Sequence, residues 1–345
     1  MAPLMDPPLI RNRYQSPNAL PILMPKHGCR VDLMEDGSVL DSHGQELMDL
    51  FQASFFFMMP PEQFRRIWRA DARLHGPIGT YAIDRGGRLV GFAGIARRPL
   101  TARGKAVKSG HMWVICVRAD MTRRGLGREL VVAAIDQLES EGCKAITLHT
   151  TTGLVAYDLY KDLGFRDLHR LSFWRAFPPA GAPAPELRPL EEAEARGVAE
   201  VYTRALKGHD GFLPRGGDPL AVYEAWGARD RSWYTTIDPP GELRGYVCMS
   251  PKPTGGVLNV MEIAGPDRKW YASAMEQVVR AGAGVATIIR QMNPVARRAF
   301  EGAGFEWVDV GSHERLMARG RALVPPKELV AGRPGKWVES RYDIF

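Results

Sequence analysis

Apolar residues recur along this chain with two periods, and the order in which they alternate predicts its elements. Residues 30–34 followed by Glu35–Asp36–Gly37 read as a first strand and its turn. Asp41–Ser42 as a cap, with Leu47, Leu50 and Phe51 on one face, predicts a helix to about Phe55. Pro60–Pro61–Glu62 opens a second helix through Ala72, and the dense apolar patch between them, residues 55–59, reads mainly as core. Residues 81–83 and 89–95 flank Arg85–Gly86–Gly87 as a hairpin. The continuous apolar run 113–117, β-branched at Val114, Ile115 and Val117, predicts a strand buried on both faces. After a polar connector, Leu130, Val131, Ala134, Ile135 and Leu138 return at helical spacing. Residues 145–150 form the next predicted strand and 154–163 a helix, ended by Gly164 with Phe165 beyond it.

The later half repeats this order faintly. It reads as strand 187–190, helix 191–206, a hairpin of 233–236 and 244–249, strand 257–263, helix 270–280 and strand 285–289. Asn293–Pro294–Val295–Ala296, Phe300 and Gly304–Phe305 then recur with the spacing of Ala156, Tyr160 and Gly164–Phe165, an internal repeat. The expected division is an irregular arm at 1–28, a first domain at 29–176, a Pro/Ala linker at 177–186, a second domain at 187–319 and a C-terminal tail at 320–345.

Composition narrows the function classes. A chain of 345 residues is long for one core, which agrees with two domains. The net charge of +7 admits an anionic partner, but the basic residues are spread along the chain, so nucleic acid is not the expected one. Cys29, Cys116, Cys143 and Cys248 make no CxxC pair, which suits a reducing compartment and provides neither a disulfide framework nor a metal site. The patch 55–59 is far short of the roughly 20 apolar residues of a membrane span, and the N-terminus is polar and proline-rich rather than a secretory signal. A soluble cytoplasmic protein is expected.

The chemistry concentrates where the central strand turns into a helix. Arg123–Arg124–Gly125–Leu126–Gly127–Arg128 places two residues without Cβ, and three arginines that can fork onto phosphate, beside first-turn amides that have no intrahelical acceptor. A dinucleotide fingerprint would need glycine at Leu130, and a P-loop would need Lys-Ser/Thr where Arg128–Glu129 stands. Taken alone, the stretch is either a diphosphate cradle or a glycine-capped turn with solvated arginines. Together with Ala156, Tyr160 and Gly164–Phe165 downstream, it resembles the acyl-CoA loop and second signature of the GNAT superfamily of N-acyltransferases, with Thr122 departing from the usual Arg/Gln at the loop's first position.

That resemblance implies an α/β (α+β mixed sheet) architecture of two GNAT-like domains, each a mostly antiparallel splayed sheet flanked by helices. It implies acetyl-CoA as acyl donor, bound by Ile115, Cys116, Val117, Arg123, Arg124, Gly125, Leu126, Gly127, Arg128 and Tyr157, with no metal. It implies Tyr160 as the acid that protonates the leaving thiolate, and it places His111 where related lysine acetyltransferases carry a glutamate base. His111 is also readable as a half-exposed strand-edge histidine. The implied acceptor is a small-molecule amine or a protein lysine, with no membrane partner and a homodimer as an option. In the second half Gly265–Pro266–Asp267–Arg268–Lys269 replaces the glycine loop and Phe300 replaces Tyr160, so that half is expected to be catalytically silent. A non-catalytic acyl-CoA sensor or scaffold is the alternative function.

Overall fold

Two seven-stranded sheets carry the molecule, and each takes one strand from the other half of the chain. A computed structural model describes residues 28–323 other than 57–58, 103–104, 171–172, 179–180, 182–183, 210, 212–230, 283, 290–295, 309–312 and 321–322. Almost all of the predicted arm and tail, Phe57 and Met58 of the apolar patch, and the Asn293–Pro294–Val295 of the repeat therefore lie outside the described residues.

The first sheet runs in the order β1 (Arg30–Leu33), β2 (Gly79–Ile83), β3 (Leu89–Arg97), β6 (Ser109–Val117), β7 (Ala145–Thr151), β16 (Glu314–Arg319), β8 (Arg166–Arg170). The second runs β10 (Arg188–Pro189), β11 (Tyr234–Thr236), β12 (Tyr246–Met249), β13 (Val257–Ala264), β14 (Ala286–Ile289), β9 (Phe173–Ala176), β15 (Glu306–Val308). A small hairpin of β4 (Leu100–Ala102) and β5 (Lys105–Val107) stands apart. The two orders correspond position by position, and each sheet is antiparallel apart from one parallel pair, β6 with β7 and β13 with β14.

β9 and β16 are exchanged between the sheets: 173–176, expected from sequence in the first domain, pairs in the second sheet, and 314–319, expected in the second, pairs in the first. Trp174 of β9 packs on Phe300 and Trp307 at ring separations of 5.3 and 5.1 Å. Leu316, Met317 and Ala318 of β16 are buried between β7 and β8. Each half is thus sealed by an apolar strand of the other, and the two cores are joined by main-chain hydrogen bonds.

Helices α1 (Ser38–Phe55) and α2 (Pro61–Ala70) cover one face of the first sheet. There Leu47, Phe51, Phe64 and Ile67 pack on Phe92 and Trp113 as an edge-to-face aromatic cluster, Phe51 and Phe92 standing 5.5 Å apart. The α1 helix begins ahead of the expected Asp41 cap, because Asp36 accepts the Ser38 N–H at 2.9 Å, and it kinks at His43 (φ −130°). Helices α3 (Leu126–Ser140) and α4 (Val155–Asp162) cover the other face through Leu130, Val131, Ile135, Leu138 and Tyr160. In the second half the single helix expected over 191–206 breaks at Arg196–Gly197 into α5 (Glu192–Ala195) and α6 (Val198–Ala205), and α7 (Arg268–Ala281) and α8 (Arg297–Gly302) complete it. No helix among the described residues is long and apolar enough to cross a membrane.

Candidate active site

The site is built by one strand that leaves its neighbour. The parallel pairing of β6 with β7 runs from Ser109↔Ala145 to Met112↔Leu148 and ends there; β7 continues against β16, and β6 continues against β3 as far as Val117. The sheet therefore opens into a V, and from Val114 onward the β6 edge that faced β7 has no strand partner among the described residues. A register shift against Phe92–Gly94 lies at the same place, with Val114 at φ +47°. A β-branched residue in the left-handed region is strained, so the surrounding pairing holds this backbone in place at the opening.

Beyond β6 the chain makes a 3₁₀ turn at Ala119–Met121, then passes through Arg123 (φ +60°) and Gly125 (φ +89°) into α3. Gly125 is the residue before the helix, no side chain caps the helix start, and a Cβ at Gly125 would meet nothing within 4 Å. The first-turn amides thus face open space at the positive end of the helix dipole, which is the environment an oxyanion needs. Arg123, Arg124 and Arg128 are exposed around it, and among the described residues none of them is in an ion pair, unlike Arg118, which is paired with Asp120 at 3.1 Å. The Leu126 side chain is buried with Cys29, Ala82 and Met121, so only its amide is available to a ligand. Ile115 and Val117 are half-buried on the α3 face.

Tyr160 on α4 is buried beside Phe165 at 6.0 Å. Burial, with the nearby Cys116 thiol as a smaller cause, raises its pKa above the ordinary phenol range, so it is protonated at neutral pH. Burial likewise raises Cys116 well above a free thiol, against hydrogen bonds from the Phe92 amide and Ser54, so Cys116 is not a nucleophile.

Two predicted residues stand differently in the structure. The Tyr157 hydroxyl donates to the Asp167 carboxylate at 3.2 Å and its ring lies under Lys161, so it is engaged toward β8 and not with the glycine turn. His111 is 4% exposed, with Nδ1 2.8 Å from Thr147 Oγ1 and 3.4 Å from an Arg98 nitrogen. Burial first, and then the charge of Arg98, drive its pKa well below 6.5, so the ring is neutral and closed off from direct contact with an acceptor. Sequence reasoning missed His149, half-buried at the V, with its ring 5.3 Å from that of His111. The only signal was alternation along β7, which puts Thr147 and His149 on one face.

Comparison with known proteins agrees with this geometry. A model of the Acetyltransferase (GNAT) family matches residues 44–165, a span that holds the V, the glycine turn and Tyr160. The mycothiol acetyltransferase of Arthrobacter sp. is 34% identical over 85 residues, 24% of this chain and 26% of that protein, so the match spans about a quarter of the relative's length. Among solved structures, a GCN5-related N-acetyltransferase from Anabaena variabilis aligns with a TM-score of 0.62 at 12% identity, over 86% of this chain and 73% of that one. Another from Kribbella flavida gives 0.60 at 16%, over 84% and 71%. At such identities these are likenesses of fold, and they extend through both halves. The match to the acetyltransferase (GNAT) family model thus covers residues 44–165, about a third of the chain.

Proposed function

We propose that the protein is an N-acyltransferase that moves the acetyl group of acetyl-CoA to a primary amine, on a small molecule or a protein lysine, by direct attack on the thioester. The observation that carries this reading is the opened β6–β7 edge, which leads to a helix start without a side-chain cap, ringed by exposed arginines that make no ion pair among the described residues. In this reading the amides of Leu126, Gly127 and Arg128, with Arg123, Arg124 and Arg128 side chains, hold the diphosphate of the donor. The thioester then lies in the V, where a backbone N–H near Cys116 or Val117 is oriented for its carbonyl oxygen and for the oxyanion that develops there. Placing both reactants in the V makes the attack effectively intramolecular. Tyr160, kept protonated by burial, gives its proton to the departing thiolate.

The test is thiol release from acetyl-CoA with a panel of amines. The wild type is expected to turn over at least one amine, and Tyr160→Phe to lower kcat by roughly ten- to a thousandfold with CoA affinity unchanged by calorimetry. Absence of thiol release with every amine, or full activity in the variant, would remove the reading.

The second half supports an additional part of this proposal, that it is a repeat which does not bind CoA. Asp267 caps α7 by accepting the Trp270 N–H at 2.9 Å, and Trp270 lies over Gly265, where an added Cβ would come within 2.1 Å of its ring. The place that is open in the first half is filled in the second.

A further inference from the structure

We infer that His149 is the base that deprotonates the acceptor amine, with the buried His111 ring beside it; this rests on the acyl-transfer reading of the same site. His149 is the first residue of β7 past Met112↔Leu148, so it stands in the crotch of the V. The two-residue period of β7 and the pairing His111↔Thr147 put His149, Thr147 and His111 on one face of the sheet, the face that carries Trp113 and is covered by α1 and α2. The arginine-ringed helix start lies on the opposite face, with α3. A donor anchored there presents its thioester through the V toward the histidine face, and an acceptor meets it from that side.

Of the two residues, whose rings lie 5.3 Å apart, His111 is buried and His149 half-buried, with the His149 Nδ1 atom itself on the buried side. Among the described residues the titratable and charged groups on this face include His111 on β6, with Arg98 past β3 and Arg73 acting on it, the latter locked in a two-pronged pair with Asp71 beside α2, and Glu314 of β16, which is opposite Thr151 one step along the face from His149. Its β16 neighbour in register is Leu316, with His169 of β8 beyond, while Arg315 is turned away to Asp167 at 3.4 Å. Burial and the two arginines keep His111 neutral, so a proton arriving on His149 meets no charged imidazole next to it.

The step balances without any other reactant. The ammonium gives one proton to an imidazole nitrogen of His149, and the freed nitrogen pair forms the C–N bond at the thioester carbonyl. The C–S bond breaks with its electron pair on sulfur, a second proton from the amine replaces the one Tyr160 delivers to the thiolate, and His149 returns its proton to solvent. An amide, a thiol and one released proton result.

The experiment is the pH dependence of kcat/KM for wild type, His149→Gln, His149→Glu and His111→Gln in the full chain, with acetyl-CoA and three probes: benzylamine, ethylenediamine and a lysine-containing peptide. His149→Gln is expected to lose about a hundredfold or more in kcat, to lose the acidic limb of the profile, and to bind CoA as wild type does, which also reports an intact fold. His149→Glu is expected to restore part of the rate with its acidic limb moved to lower pH. His111→Gln is expected to keep that limb, with a smaller loss. A His149→Gln enzyme within twofold of wild type with its acidic limb in place would overturn the role of His149 alone. A wild type that releases no thiol with any probe would overturn the acyl-transfer reading and this role with it.

Discussion

The two halves of the molecule contain the same strand–turn–helix, and they differ in what happens to the amides at the helix start. In the first half the turn passes through Gly125 at φ +89° with no side-chain cap and open space around it. In the second the turn is closed from within: Asp267 takes the Trp270 amide, and the Trp270 indole donates to Asp238 at 3.0 Å. Asp238 in turn accepts from the amides of Arg244 and Gly245 at 2.8 and 2.9 Å, and although burial would raise its pKa these donors bring it below the usual carboxylate value. Orphan helix donors must be satisfied by something. The second half satisfies them with its own side chains, whereas the first leaves them without a side-chain cap, the feature on which the proposed CoA cradle rests.

Four measurements sharpen this contrast. The largest effect is expected at Gly125→Val. The branched side chain enters the open space that the proposed function assigns to the diphosphate, in a backbone region valine resists, and CoA affinity is expected to fall by at least about a hundredfold, or about 3 kcal/mol. Tight binding in a calorimetric titration of this variant would refute the cradle. Next, Asp238→Ala strips partners from the Trp270 indole, the buried Gly245 amide and the part-buried Arg244 amide. It is expected to cost about 3–5 kcal/mol in denaturant unfolding while CoA still binds the folded fraction. Asp267→Ala removes only a cap, so a loss of about 1 kcal/mol is expected, with no CoA site gained, because Trp270 still covers the turn. A second CoA equivalent bound by this variant would show that the cap alone silences that half.

The smallest effect concerns pH. The folded-state pKa of His111 is depressed, so between that value and about 6.5 the unfolded chain binds the extra proton. Stability therefore rises with pH across this window and declines as pH falls below about 6.5. His111→Gln is expected to flatten that slope in a series of melts, and an unaltered slope would place the acid sensitivity elsewhere.

Much of the first half was legible from its residues. The glycine turn, the helix spacing of Leu130 to Leu138 and the motif around Tyr160 are local patterns, and local patterns fix local conformation. The partner of Tyr157 was not legible because Asp167, which accepts from its hydroxyl, belongs to another strand. His149 was passed over because a histidine in a strand carries no mark of which neighbour leaves it.

The chain's own order of residues thus determined the elements, the anion-ready turn and the repeat of strand order, since each depends on contacts a few positions apart. Tertiary structure alone decided that β9 and β16 change places, that β6 parts from β7 after Met112, and that His111 is sealed while His149 is not. Those facts depend on pairings between residues far apart in the chain, where the hydrogen bonds of an extended strand accept any partner and only the packing of its side chains chooses one.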